Sequence, residues 1–242
     1  MTQTPGVPEP LTPVSAFAHR IRELRTARGW SARELGERCT AAGLPWDRSI
    51  VSNVEHGRRG SVTVAEASIL AYVLGVPPIL LLYPVGLVDE VEVMPGRVLP
   101  TWAAAQWFTG EKPLPSRGQD GRWGVAPGDF EAWQTGAAPV DLFREHDRLV
   151  AEWKSGKAVA DGARKAAECD ADENERQAHL RQAAQGDKRA EHAETQLVWT
   201  RGHMRRSGLT PPLLLGDLAR VDEQEPRTRL PWLDEQEGAD RG

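Results

Sequence analysis

Residues 47–59, Asp47-Arg48-Ser49-Ile50-Val51-Ser52-Asn53-Val54-Glu55-His56-Gly57-Arg58-Arg59, constrain the fold of this chain more than any other stretch. Val51 and Val54, with Ile50 beside them, recur at helical spacing and face a core. Arg48, Ser49, Ser52 and Asn53 project hydrogen-bonding groups from the opposite side. Asp47 has the side chain of an N-cap and Gly57 the backbone freedom of a left-handed stop. The helix they bound is about two and a half turns long.

The flanking residues complete a five-helix unit between Val14 and Tyr83. A first helix is predicted from Ser15 to Arg28, with Phe17, Ile21 and Leu24 inward and Gly29 as its stop. Ser31-Ala32-Arg33-Glu34 is a capping box, in which serine and glutamate satisfy each other's orphan amides. The helix it opens turns Leu35 and Cys39 inward. Thr63-Val64-Ala65-Glu66 repeats the box and opens a fourth helix that runs to Leu74 and stops at Gly75. Pro77 and Pro78 start a short fifth helix through Leu82.

These residues resemble the Cro- and lambda-repressor-like helix-turn-helix regulators, the xenobiotic-response-element family. The resemblance spans Ala16 to Tyr83 and rests on Arg25, Gly29-Trp30-Ser31, Glu34-Leu35, the segment from Val51 to Arg59, and Leu70-Ala71-Tyr72-Val73-Leu74-Gly75-Val76-Pro77. It implies that Arg48, Ser49 and Asn53 meet base edges, with Ser52 reaching a base or a phosphate. It also implies that His56, Arg58 and Arg59 hold phosphates, and that Arg25 and Glu55 form a buried structural ion pair. Where the family carries a phosphate-gripping glutamine, this chain has Ala32, which passes any contact there to Ser31 or Arg33. The connection from the second helix to the third is lengthened by Thr40-Ala41-Ala42-Gly43-Leu44-Pro45-Trp46. We read this as an extra helical turn ending at Gly43, a variant that resembles regulators of high-GC actinobacteria.

Charge points to the same chemistry without the resemblance. Val14 to Tyr83 holds nine arginines and six acidic residues, an excess of three positive charges in a chain of net charge −5. A basic module in an acidic chain suits attraction to phosphates, and a helix of this length suits the major groove of double-stranded DNA.

At 242 residues the chain has room for one or two further regions. No apolar run approaches the roughly 20 residues of a membrane span. Residues 1–13 are expected to be a disordered arm rather than a secretory signal, and the protein is expected in the cytoplasm. Cys39 and Cys169 are far apart, with no redox or metal spacing. Residues 84–110 read as a small hairpin, Val91-Glu92-Val93 against Arg97-Val98-Leu99, followed by a brief helix capped by Thr101 that carries Trp102, Trp107 and Phe108 as a satellite core. Residues 111–140 read as a Gly/Pro-rich linker. Asp141 to Arg206 balances thirteen acids against thirteen bases, which favours salt-bridged faces. The break at Asp170-Ala171-Asp172-Glu173 favours a long helical hairpin or coiled coil, its alanine-rich seam relying on a partner or on self-association. Residues 207–242 read as a Pro-containing acidic tail, with eight acids and four arginines from Asp217 onward.

The fold class is thus mainly α: an N-terminal five-helix DNA-binding domain, a small β-hairpin and aromatic middle region, and a long C-terminal helical hairpin. No phosphate loop, nucleophile elbow or metal-binding histidine pair is present, so no catalytic site, cofactor or metal is expected. The reading is a sequence-specific transcriptional regulator that binds double-stranded DNA as a homodimer, with residues 141–206 mediating dimerisation or contact with a protein partner. The alternative is an interaction protein anchored on DNA, such as an antitoxin-like or mobile-element maintenance factor.

Overall fold

The computed structural model describes residues 11–118 and 121–223. The elements in chain order are α1 (Pro13–Ala27), α2 (Ala32–Ala41), α3 (Arg48–Glu55), α4 (Val64–Val73), α5 (Ile79–Leu82), β1 (Glu90–Met94), β2 (Arg97–Pro100), α6 (Thr101–Phe108), β3 (Ser116–Arg117), β4 (Trp123–Gly124), α7 (Pro127–Cys169) and α8 (Glu173–Arg206), followed by a 3₁₀ helix at Gly216–Glu223. The chain is mainly α. It divides into two compact units, one up to Gln134 and one from Thr135 onward.

In the first unit, α1 to α5 enclose one core. Phe17 and Ile21 of α1, Leu35 and Cys39 of α2, Val51 and Val54 of α3, Leu70 and Leu74 of the α4 region and Leu81 of α5 are all buried in it. Both capping boxes form, at Ser31 with Glu34 and at Thr63 with Glu66. Leu44 and Trp46 of the long α2–α3 connection are also buried, which anchors the connection to the core. Burial pushes the Cys39 thiol up to about 11, so it packs as a small apolar side chain.

The first ten residues of the expected disordered arm lie outside the described residues; Leu11 to Pro13 depart from that expectation. Thr12 Oγ1 accepts the Ser15 amide at 3.2 Å, so α1 starts at Pro13 rather than Ser15, with proline in the first turn where no amide partner is needed. Leu11 bridges to Val91, its carbonyl accepting the Glu92 amide at 3.0 Å, which adds a third rung to the β1–β2 hairpin. The hairpin pairs Val91 with Leu99 and turns at Gly96 (φ 75°). Val91, Val93 and Leu99 form a second core with Tyr83, Ala104 and Ala105. Thr101 is not the cap of α6 but its first residue; its buried hydroxyl donates to the Val88 carbonyl at 2.7 Å. Phe108 packs edge-on to Tyr83 at 5.4 Å between ring centroids, while Trp102 is exposed instead of joining the satellite core.

Residues 111–140 are not a uniform linker. Ser116 and Arg117 pair with Gly124 and Trp123, and α7 is already helical from Pro127. Proline in a first turn costs no hydrogen bond. Pro139, near the end of the segment read as linker, is carried inside the 43-residue helix because long helical segments lie on both of its sides.

In the second unit α7 and α8 run antiparallel as a hairpin, with Asp172 as the N-cap of α8. Small residues bring the two backbones together: a Cβ placed on Gly156 would lie 2.8 Å from the Gly186 carbonyl oxygen, and one placed on Gly186 would lie 2.7 Å from that of Gly156. The seam widens toward Leu149, Leu197 and Val198, where Leu214, Leu218 and Val221 pack onto it. This corrects the reading of residues 207–242 as a tail. Leu214, Leu218 and Val221 of this segment are part of the core and supply apolar area that alanine-rich helices lack, while Leu213 and Leu215 are exposed; residues 224–242 lie outside the described residues.

A buried polar knot ties this segment down. One Arg201 terminal nitrogen donates to His146 Nε2 at 2.7 Å and to the Pro212 carbonyl at 2.7 Å, and Arg201 and Arg205 both pair with Asp222. The first contact requires neutral His146, accepting at Nε2 and turning Nδ1 to Asp147 at 3.3 Å. Burial first, and then the charge of Arg201, hold His146 below its ordinary value against the opposing pull of Asp147 and Asp222. A base whose folded pKa is depressed binds fewer protons folded than unfolded. The stability it permits is therefore present above about 6.5 and lost as pH falls from there toward the folded value. Asp222 is pulled up by burial but held lower overall by Arg201 and Arg205, so its loss of stability belongs to the more acidic carboxylate range. Between pH ~7 and ~5 the hairpin unit should therefore lose thermal stability in the parent and hold it in a His146→Gln variant. Parallel losses in both would clear His146 of the effect.

Candidate nucleic-acid interface

The third helix is held as its local sequence dictates. Asp47 accepts the Ile50 amide at 2.8 Å, His56 closes the helix and Gly57 leaves it with φ 65°. Val51 and Val54 lock one side into the core. On the other, Arg48 and Ser49 are exposed and Ser52 and Asn53 half-buried.

Arg48, Ser49, Ser52, Asn53, Asp47 and Arg58 line one shallow hollow on the protein surface. Arg58 joins them because its amide donates to the Asn53 carbonyl at 2.9 Å, wrapping the loop over the helix end. Among the described residues, the side chains of Arg48, Ser49, Asn53 and Arg58 make no hydrogen bond within the protein. Their donors and acceptors face water, at no burial cost, and stand available to a ligand.

The other expected contacts are engaged to different degrees. Ser31 serves the capping box, accepting the Glu34 amide at 3.2 Å, and Arg33 pairs with Glu37 at 2.8 Å on an exposed face. Such an exposed pair is worth little and exchanges readily for a phosphate. His56 Nδ1 lies 2.6 Å from the Ser52 carbonyl, which places the ring proton there and leaves Nε2 as the nitrogen that can meet a ligand. Arg59 is the most committed, donating to Glu66 at 2.8 Å while its guanidinium lies 5.6 Å from the Trp46 ring centroid. Burial raises Glu66, but the Thr63 amide, Arg59 and the Thr63 hydroxyl together keep its carboxyl below the usual range and ionised.

Arg25 and Glu55 meet as a fork: Nε to Oε1 at 2.5 Å and a terminal nitrogen to Oε2 at 2.8 Å, with another terminal nitrogen donating to the Trp30 carbonyl at 2.6 Å. The Glu55 side chain is 4% exposed. The fork joins the C-terminal ends of α1 and α3 and stands apart from the hollow.

Two positions went unrecognised in the sequence. Gly36 of α2 admits the backbone of the α2–α3 connection so closely that a Cβ would lie 2.8 Å from the Trp46 carbonyl oxygen, which makes it the contact point of the helix pair. Arg38 stacks on Trp30 at 4.1 Å, holding the turn before α2. Neither carries a local signal beyond its residue type.

Residues 16–82 match a family model described as a helix-turn-helix domain. No curated protein and no solved structure matches the chain.

Proposed function

We propose that this chain, whose residues 16–82 are a helix-turn-helix domain, is a transcriptional regulator that reads a specific double-stranded DNA sequence with α3 in the major groove, acting in the cytoplasm as a dimer. The observation that carries the reading is the hollow of Arg48, Ser49, Ser52, Asn53 and Arg58, whose side-chain hydrogen bonds are largely unspent beside a well-buried helix back. Arginine pairs bidentately with guanine and asparagine with adenine in that groove, so Arg48 and Asn53 are the principal readers, assisted by Ser49 and Ser52. Ser31, Arg33, His56, Arg58 and Arg59 supply phosphate contacts. Of the two loop arginines, Arg58 is the one with nothing to give up.

Binding to a site enriched from a randomised duplex pool tests this. Arg48→Ala or Asn53→Ala should each cost about 1–3 kcal/mol on that site and relax selectivity at one or two base pairs. Arg58→Ala should weaken all sequences alike and lower the salt slope by about one unit. Parent-like affinity in both helix variants would remove α3 from the groove.

A further inference from the structure

Asp47 lines the same hollow as Arg48, Ser49, Ser52, Asn53 and Arg58, and it is the one carboxylate among them. Its Oδ1 accepts the Ile50 amide at 2.8 Å, the N-cap bond of α3. Its Oδ2 is unspent: among the described residues Asp47 makes no ion pair, although Arg48 is its chain neighbour and Arg58 lines the hollow with it. The residue is exposed, so this oxygen is left to a ligand. The fold does not require the charge. Asparagine and serine cap helices as well as aspartate does, and neither would set a negative charge where α3 meets a polyanion. The positive end of the helix dipole favours a carboxylate only weakly at an exposed, screened position.

We propose that Asp47 is a specificity-determining residue that selects cytosine at one position of the DNA site. Cytosine presents an N4 amino hydrogen in the major groove, which the free Oδ2 accepts; guanine offers O6 and N7 there and thymine O4, acceptors that a carboxylate oxygen repels. Adenine donates from N6 but sets the N7 lone pair beside that donor, where cytosine has only a C–H. Repulsion contributes as much as the bond. It opposes phosphates and every base pair without a suitably placed donor, and so lowers the affinity for unselected DNA that Arg48 and Arg58 would otherwise confer. Because Oδ1 is committed to the cap, Asp47→Asn keeps the cap and turns the free position from an acceptor into an amide donor. The preferred base should therefore change, and not merely lose its advantage.

The inference rests on the proposed DNA reading. Full-length parent, Asp47→Asn and Arg48→Ala are each used to select sites from a randomised duplex pool, and the melting temperature of each is measured. Asp47→Asn should melt like the parent, lose the preference for cytosine at one position by about tenfold or more in favour of a base with an acceptor, and bind an unselected duplex more tightly. A second measurement needs no variant. N4-methylcytosine at that position keeps base pairing but removes the groove-facing hydrogen, and it should weaken the parent about as much as a base change there does. The proposal is overturned if Asp47→Asn selects the parent's motif, or if the parent is indifferent to N4-methylcytosine at every cytosine of its site. A lowered melting temperature with the motif unchanged would assign the charge to the stability of α3 instead. In each of these cases a relaxed motif in Arg48→Ala shows that the DNA reading itself stands. A parent that enriches no sequence removes that reading, and the role of Asp47 with it.

Discussion

Glu55→Ala should destabilise the helix-turn-helix unit by about 3–5 kcal/mol, as should Arg25→Ala, because each leaves one charge buried without its partner. The Arg25 guanidinium would keep its bond to the Trp30 carbonyl at 2.6 Å but lose both carboxylate oxygens, in a site where Glu55 had been almost wholly withdrawn from water. Loss of DNA affinity should follow loss of folding and not exceed it. The informative variant is the double one, Arg25→Met with Glu55→Leu, which removes both charges at similar volume and should recover most of the melting temperature. With folding restored, it should bind DNA nearly as the parent does, since the fork lies outside the hollow lined by Arg48 and Asn53. Chemical denaturation followed by a binding titration at a temperature where every variant is folded checks both statements. A Glu55→Ala protein with the parent's stability and no affinity would make Glu55 part of the interface.

Gly156→Val should open the α7–α8 hairpin at a cost of roughly 3 kcal/mol or more, near or above the usual range for overpacking. Its Cβ would meet backbone, the Gly186 carbonyl at 2.8 Å and the Ala190 amide nitrogen at 2.9 Å, so no side-chain rotation relieves the clash. Gly186→Val should act in the same way from the other helix, and the two together should cost less than their sum, because one separation of the helices accommodates both. Hydrogen exchange resolved by peptide is the measurement, since it reports the hairpin apart from α1 to α5. Exchange should accelerate around Ala160, Ala163, Ala183 and Ala190, whose burial depends on this approach, and stay unchanged in α2 and α3. Unaltered protection in α7 and α8 would show that the backbones are not in contact there.

What the amino-acid sequence determined by itself was whatever is encoded within about one helical turn. The capping boxes at Ser31 with Glu34 and Thr63 with Glu66, the cap at Asp47 and the glycine stops at Gly57 and Gly75 are contacts between near neighbours. They place α2, α3 and α4 almost residue by residue. The apolar and polar sides of α3 were legible for the same reason: a helix of known start and period has only one way to divide Val51 and Val54 from Arg48 and Asn53. The break at Asp172 announced the hairpin equally well.

Tertiary structure alone decided what depends on residues distant in the chain. Leu214, Leu218 and Val221 have a helical period, yet they sit where prolines and acidic residues dominate the composition, and only the wide end of the α7–α8 seam gives them something to cover. Pro139 read as linker because a proline excludes helix only when its lost hydrogen bond outweighs the helix around it, a balance no local window contains. Arg59 and Arg58 are adjacent and alike in sequence. The position of Glu66 across the loop commits one of them to the fold and leaves the other open to solvent, because a charge goes to its nearest partner and the sequence does not say which partner is near.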